Sequence, residues 1–278
     1  MKHENYKITI MGASGVGKTT FLASYFHLAS RLQRGTYPVS FKNTIFDKKI
    51  DNITRMAPDC TISEKTTERI DIVFGLDSLG MTIECTDIPG EFAQDMALWD
   101  ERKILSDLKH ADALLFFIST EDVMFGQDKI VEDNLVFATA ISHLRKKGKA
   151  VPIWFLFTKG NKVLDVSLEE LQSRLPALLK TARDTKHPVR AWKIDSVSEQ
   201  MSLIASDQSQ SKDIIDPMES LFEAMKNSAV LFRKKVRFRV SLFILLAVSF
   251  SLLGGWGFSL LGLKTERAVA VGPRLTYF

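Results

Sequence analysis

The chain has 278 residues, 45% hydrophobic and 25% charged, with 15 Gly and 8 Pro. These values exclude wholesale disorder, a collagen-like chain and a disulfide scaffold. The net charge is +4, yet Arg233, Lys234, Lys235, Arg237 and Arg239 concentrate five positive charges in one short run. The first 232 residues are therefore mildly acidic, and nucleic-acid binding is not expected. Two cysteines, Cys60 and Cys85, and five scattered histidines show no metal-ligand spacing, so a reduced intracellular setting is expected.

Tyr6–Met11 reads as a short apolar strand. Gly12-Ala13-Ser14-Gly15-Val16-Gly17-Lys18-Thr19 follows, a G-x-x-x-x-G-K-T loop. Its glycines let the backbone curl so that successive N–H groups face a phosphate, and the helix behind it adds a positive N-terminus. Lys18 is expected to reach the β- and γ-phosphates, and Thr19 to offer its hydroxyl to Mg²⁺. The expected nucleotide-binding set here is Gly12, Ser14, Gly15, Val16, Gly17, Lys18, Thr19 and Thr20. Lys18–Leu32 is predicted to be helical, with Phe21, Leu22, Tyr25, Leu28, Ala29 and Leu32 on one face.

Arg69–Phe74 and Met81–Thr86 read as two strands. The link Gly75–Gly80 is too short for a helical crossover, so they form an antiparallel hairpin. The second strand ends in Asp87-Ile88-Pro89-Gly90. An Asp at this strand end can hold Mg²⁺ through water, and Gly90 can turn its N–H towards a γ-phosphate. Ala113–Ser119 and Pro152–Thr158 are unbroken apolar runs, the pattern of strands buried on both faces. Helices are expected at about 127–147 and 167–184, and a last strand at Val189–Ile194. Ser196–Ile215 reads as a polar loop. A helix is expected to open at Asp216-Pro217-Met218-Glu219, burying Met218, Leu221, Phe222, Met225, Ala229 and Phe232. Residues 1–232 thus read as one three-layer α/β domain with a mostly parallel sheet and one antiparallel pair.

Residues 233–239 form a basic juxtamembrane stretch, and Val240–Leu263 is 24 residues without a charged side chain. About 20 apolar residues span a bilayer as a helix, so a single transmembrane helix is expected. Five Lys/Arg precede it and three follow, which places the N-terminal domain in the cytoplasm and 264–278 across the membrane.

The loop, the D-x-x-G sequence Asp87–Gly90 and the hairpin before it resemble those of P-loop GTPases of the translation-factor and small-GTPase class. The resemblance implies a G domain binding GTP/GDP and Mg²⁺, acting as a switch read by a protein effector or activating partner. It implies that Thr19 and Asp87 hold the metal. It also places a metal- and γ-phosphate-sensing Thr before the first hairpin strand; Thr61, Thr66 and Thr67 are available, and Thr66 is taken. Thr158-Lys159-Gly160-Asn161 is similar to the family's guanine motif, [NT]-K-x-D, with Asn161 in place of Asp. An amide nitrogen only donates, so one guanine contact is weakened and base choice is open. Ser196 and Val197 sit where the family's short Ser-rich loop touches the base. Lys18, Gly90 and Glu91 are the expected catalytic set. Glu91 stands where many members carry a water-orienting Gln, and its charge opposes the developing phosphate charge, so hydrolysis is expected to be slow. A nucleotide-binding scaffold with little turnover, and an ATPase using the same loop, are the alternatives.

Overall fold

The computed structural model describes residues 3–41, 68–144, 150–159, 163, 166–185, 187–194 and 208–266, with side chains left out at 41, 127, 177, 208–210 and 244–266. Seven strands form one sheet: β1 (Glu4–Met11), β2 (Ser40–Phe41), β3 (Ile70–Leu76), β4 (Met81–Asp87), β5 (Ala113–Ser119), β6 (Ile153–Thr158) and β7 (Val189–Lys193). Their order is β2-β3-β4-β1-β5-β6-β7. The β1–β4, β1–β5, β5–β6 and β6–β7 pairs are parallel. The expected hairpin is present, with β3 and β4 antiparallel from Ile70–Asp87 to Leu76–Met81. The two-residue β2 adds a short antiparallel edge, too brief for an alternation pattern to reveal.

Alternation along β5 sorts the two faces of the sheet. Leu114, Phe116 and Ile118 join the cluster built with β6 residues Ile153, Phe155 and Phe157. Phe117, on the opposite face, meets Phe21 edge-on at 5.3 Å. All seven β5 residues and all six β6 residues are buried, as the unbroken apolar runs required.

Phe21 belongs to α1 (Lys18–Phe26), which runs into a wider π turn, His27–Arg31. The other layer holds α2 (Gly90–Gln94), α3 (Ile104–His110), α4 (Thr120–Phe125), α5 (Gln127–Leu144), α6 (Leu168–Ser173) and α7 (Pro176–Asp184). The first three of these have no expected counterpart. They have only five, seven and six residues, too few turns to display a 3.6-residue period. The stretch expected as one helix over 167–184 is two. Pro176 opens α7, and Leu175 before it takes φ −120, ψ 46, because the ring disfavours helical backbone there.

The last element is α8, Gln208–Glu266. The loop expected over 196–215 therefore gives way to helix from Gln208, with 196–207 outside the described residues. Pro217 lies inside the helix rather than at its start. The reason is the apolar stripe: Ile214, Ile215, Met218, Leu221, Phe222 and Met225 are all buried, so the helical period continues through the proline. Phe222 packs edge-on against Tyr25 of α1 at 6.1 Å and lies 6.0 Å from Phe74 of β3. Phe232, expected in that stripe, is exposed.

By contacts the chain divides into Met1–Ser228 and Ala229–Phe278. In the second unit the side chains of residues 233–243 are exposed. Among the described residues no helix is long and apolar enough to cross a membrane. The span expected over 240–263 finds no support there, and from residue 244 onward its side chains lie outside the described set.

Candidate functional site: the phosphate loop and its neighbours

β1 delivers the chain to the loop at the middle of the sheet. Gly17 ends the loop as the N-cap of α1 with φ 94, a left-handed conformation that a side chain would strain. No side chain caps α1, and no acidic residue occupies its first turn. That turn therefore offers its N-terminal dipole to an anion with no acidic side chain of its own in the way.

Lys18 is buried, and its Nζ donates to the carbonyls of Gly12 at 2.8 Å and Ala13 at 3.0 Å. The ammonium is thereby held across the loop it belongs to. Burial pushes its pKa down, while the carboxylates of Asp87 and Asp133 oppose that shift. A partly desolvated lysine over curled amides is a strong electrostatic partner for phosphate oxygens.

The Thr19 hydroxyl donates to Asp87 Oδ2 at 2.7 Å. Asp87 is fully buried at the end of β4, where its backbone pairs with Ile10 of β1 and Ile70 of β3. The two metal residues expected from sequence are thus side by side. Mg²⁺ takes few protein oxygens and keeps its remaining places for waters and phosphates. One hydroxyl and one carboxylate fit that ion. Among the described residues there is no group of three or more His, Cys, Asp or Glu that would hold a metal without a nucleotide.

Beyond Asp87, the Ile88 N–H donates to the Ile10 carbonyl at 3.3 Å, carrying the strand pairing one residue further. Gly90 then meets the loop. A β-carbon there would overlap the Ser14 amide nitrogen and the Ala13 carbonyl carbon, so only glycine fits. Glu91 is exposed in the first turn of α2.

The base-recognition end is tied to the phosphate loop by one side chain. Thr158, the last residue of β6, donates its hydroxyl to the Val16 carbonyl at 2.6 Å, with the Ile118 carbonyl 3.4 Å away. Lys159 follows with φ 58, a left-handed position uncommon outside glycine and the kind of local strain found at ligand sites. Asn161, Ser196, Val197, Thr66 and its alternatives Thr61 and Thr67 lie outside the described residues. The structure thus gathers Gly12, Ser14 to Thr20, Asp87, Gly90, Thr158 and Lys159 at the β1, β4 and β6 strand ends.

One residue of this neighbourhood has no expected role. Asp133 on α5 is 5% exposed, and burial pushes its carboxyl up to about 7, aided by Asp122 and Glu132 against Lys129 and Lys18. The signal was in the helix period. Asp133 occupies the same stripe as the buried Val136, Phe137, Ala140, Ile141 and Leu144, a charge at a core position.

A mixed sheet with the glycine-rich loop after its central strand, a Thr–Asp pair beside it and a Thr-Lys turn two strands away is the architecture of a P-loop G domain. Comparison with solved structures finds the same fold in a small GTPase. The Arl6 BBS3 small GTPase from Trypanosoma brucei, solved with the nucleotide analogue GppNp, matches with a TM-score of 0.50 and 15% identity, over 81% of this chain and 99% of that one. The Ski7 GTPase-like domain of S. cerevisiae, bound to GTP, matches with a TM-score of 0.45 and 17% identity, over 69% and 43%. The mammalian SRP receptor matches with a TM-score of 0.44 and 12% identity, over 71% and 95%. No family model and no curated protein matches the sequence. At this identity the first likeness establishes the fold of a small GTPase.

Proposed function

We propose that the chain is a guanine-nucleotide switch with slow, Mg²⁺-dependent GTP hydrolysis. The observation that carries this is the 2.7 Å contact of Thr19 with Asp87 beside a loop whose lysine is already drawn across its own carbonyls. The amides from Ser14 to Thr20 hold the phosphates, Lys18 balances their charge, and Thr158 keeps the base-binding turn in register with the loop. Bound Mg²⁺ would neutralise phosphate charge and orient the terminal group. Glu91 carries the wrong charge to favour fast water attack, which supports slow turnover and equally a binding scaffold with little turnover.

Asn161 in place of Asp leaves the base open, so the competing triphosphates are part of the test. Displacement of labelled GDP by GTP, XTP and ATP is expected to rank GTP first. Phosphate release in a single turnover, faster than nucleotide dissociation, marks an enzyme; release that never exceeds dissociation marks the scaffold. ATP displacing GDP better than GTP does would contradict the reading.

The proposal includes a membrane tether with the nucleotide domain on the cytoplasmic face. Its support is the sequence: five cations in 233–239, then 24 residues without charge. Resistance of the membrane-associated chain to alkaline carbonate extraction would bear this out, and quantitative extraction would exclude it. Loss of γ-phosphate would be read by a protein effector at the elements around Gly90.

A further inference from the structure

Between α1 and β2 the chain is fastened to α8 by two carboxylates. The Arg34 N–H donates to the Leu28 carbonyl at 2.9 Å, the last tie back to the π turn. Gly35 then takes φ 93, and a β-carbon there would meet the Glu219 carboxylate and the Ile215 side chain. The backbone N–H groups of Thr36 and Tyr37 belong to neither helix nor strand. Both donate to Glu219 Oε1, the second at 3.2 Å. One turn further along α8, Glu223 Oε1 accepts the Tyr37 hydroxyl at 2.8 Å. Successive N–H groups in a turn form a concave seat for an anion, and here a carboxylate of the same chain fills it.

The helix that supplies these carboxylates is itself fixed. Ile215, Met218 and Phe222 are buried, and Phe222 meets Tyr25 of α1 and Phe74 of β3. The segment it holds has little else to hold it. β2 gives the sheet two residues, Ser40 opposite Gly75 and Phe41 opposite Phe74, and within 33–39 only Val39 is buried. On one side of this segment lies α1, which begins with Lys18 and Thr19. On the other, β2 leads into residues 42–67, the part of the sequence that carries Thr66 and its alternatives. We infer that Glu219, with Glu223 behind it, is a positioning clamp that slows nucleotide release by holding the chain between the phosphate helix and the threonine expected to sense the metal. A bound ligand leaves when the segment beside it opens locally, and the few bonds that hold the segment down govern such openings. Removing the charge-assisted bonds to Glu219 therefore raises the release rate while the core under α8 stays packed. The inference rests on the nucleotide-binding reading above and adds a control on exchange at that site.

The test is the rate at which a fluorescent GDP analogue leaves the full chain, with Mg²⁺ and excess unlabelled GDP, for the wild type, Glu219→Ala, Glu219→Gln and Tyr37→Phe. Glu219→Ala is expected to release it about ten-fold faster, the size expected for the loss of bonds to a charged group. Glu219→Gln keeps an oxygen that accepts both N–H groups and should restore most of the slow release, a rescue that a general loss of packing would not give. Tyr37→Phe removes only the bond to Glu223 and should speed release about two-fold, which keeps the test decisive if Glu219→Ala fails to fold. Equal rates in the wild type, Glu219→Ala and Tyr37→Phe, or a Glu219→Gln variant as fast as Glu219→Ala, overturn the clamp and leave nucleotide binding intact. A wild type that binds no GDP overturns both.

Discussion

The Thr158 hydroxyl and the Val16 carbonyl meet at 2.6 Å, joining the end of β6 to the middle of the phosphate loop. One hydrogen bond thus couples the part of the site that would hold a base to the part that would hold phosphates. Both residues are buried, so water cannot replace the bond. Thr158→Val keeps the shape and removes the donor, leaving a buried carbonyl unsatisfied at a cost of about 1–3 kcal/mol. Guanine-nucleotide affinity is expected to fall by roughly ten-fold or more for both di- and triphosphate. Calorimetric titration checks it; unchanged affinity would show that the two halves are independent.

Thr19 and Asp87 lead to a prediction about metal. For the wild type, removing Mg²⁺ with a chelator should weaken triphosphate binding strongly. For Asp87→Asn and Thr19→Ala the affinity should be low with Mg²⁺ and change little on chelation, because the protein oxygens that position the ion are reduced. Nucleotide dissociation rates with and without chelator read the difference. A variant that keeps the full magnesium effect would remove these residues from the metal site.

Asp133 makes stability depend on pH. Its carboxyl is pushed up to about 7, chiefly by burial, from the ordinary aspartate value of 3.8. The unfolded chain ionises this group first, so the fold loses stability as pH rises from about 4 and the loss levels off above about 7. Asp133→Asn removes the penalty. The variant should melt higher than the wild type at pH 8, with the gain shrinking towards pH 4. A variant that melts lower at pH 8 would show that the ionised carboxylate stabilises the fold instead.

Asp107 is 3% exposed and receives the Arg69 guanidinium as a fork, at 2.6 and 3.2 Å, with Lys7 Nζ at 3.1 Å. It ties α3 to β1 and to the residue before β3. Asp107→Ala removes the shared carboxylate but leaves Lys7 paired with Glu84 and Arg69 with Asp71, and should cost about 1–2 kcal/mol. Denaturant unfolding measures this, and a loss under about 0.5 kcal/mol would class the cluster with ordinary surface ion pairs.

The parts of this molecule that were legible in the sequence share a physical feature: they are enforced locally. The loop from Gly12 to Thr19 needs its glycines in order. The two runs Ala113–Ile118 and Pro152–Phe157 have no charged residue that could face water. The link Gly75–Gly80 admits only a hairpin. What could not be read depends on packing between distant segments. The short helices α2, α3 and α4 exist because Ala93, Trp99, Ile104 and Val123 find a common core, and no period within five to seven residues announces that. Pro217 is carried inside α8 because Phe222 has Tyr25 and Phe74 to pack against. In the site, Lys18, Thr19 and Asp87 were readable from spacing. The Thr158–Val16 bond and the Gly90–Ser14 approach join residues far apart in the chain, and only the folded sheet shows them.

Nucleotide binding by this chain would depend first on the loop at the start of α1. The most direct test is calorimetric titration of GDP and Mg²⁺ into the full chain and into Lys18→Ala. Removing the ammonium that spans Gly12 and Ala13 is expected to weaken binding by at least about a hundred-fold, given the worth of charge-assisted contacts in a desolvated site. Equal binding by the two proteins, or no binding by the wild type, would contradict it.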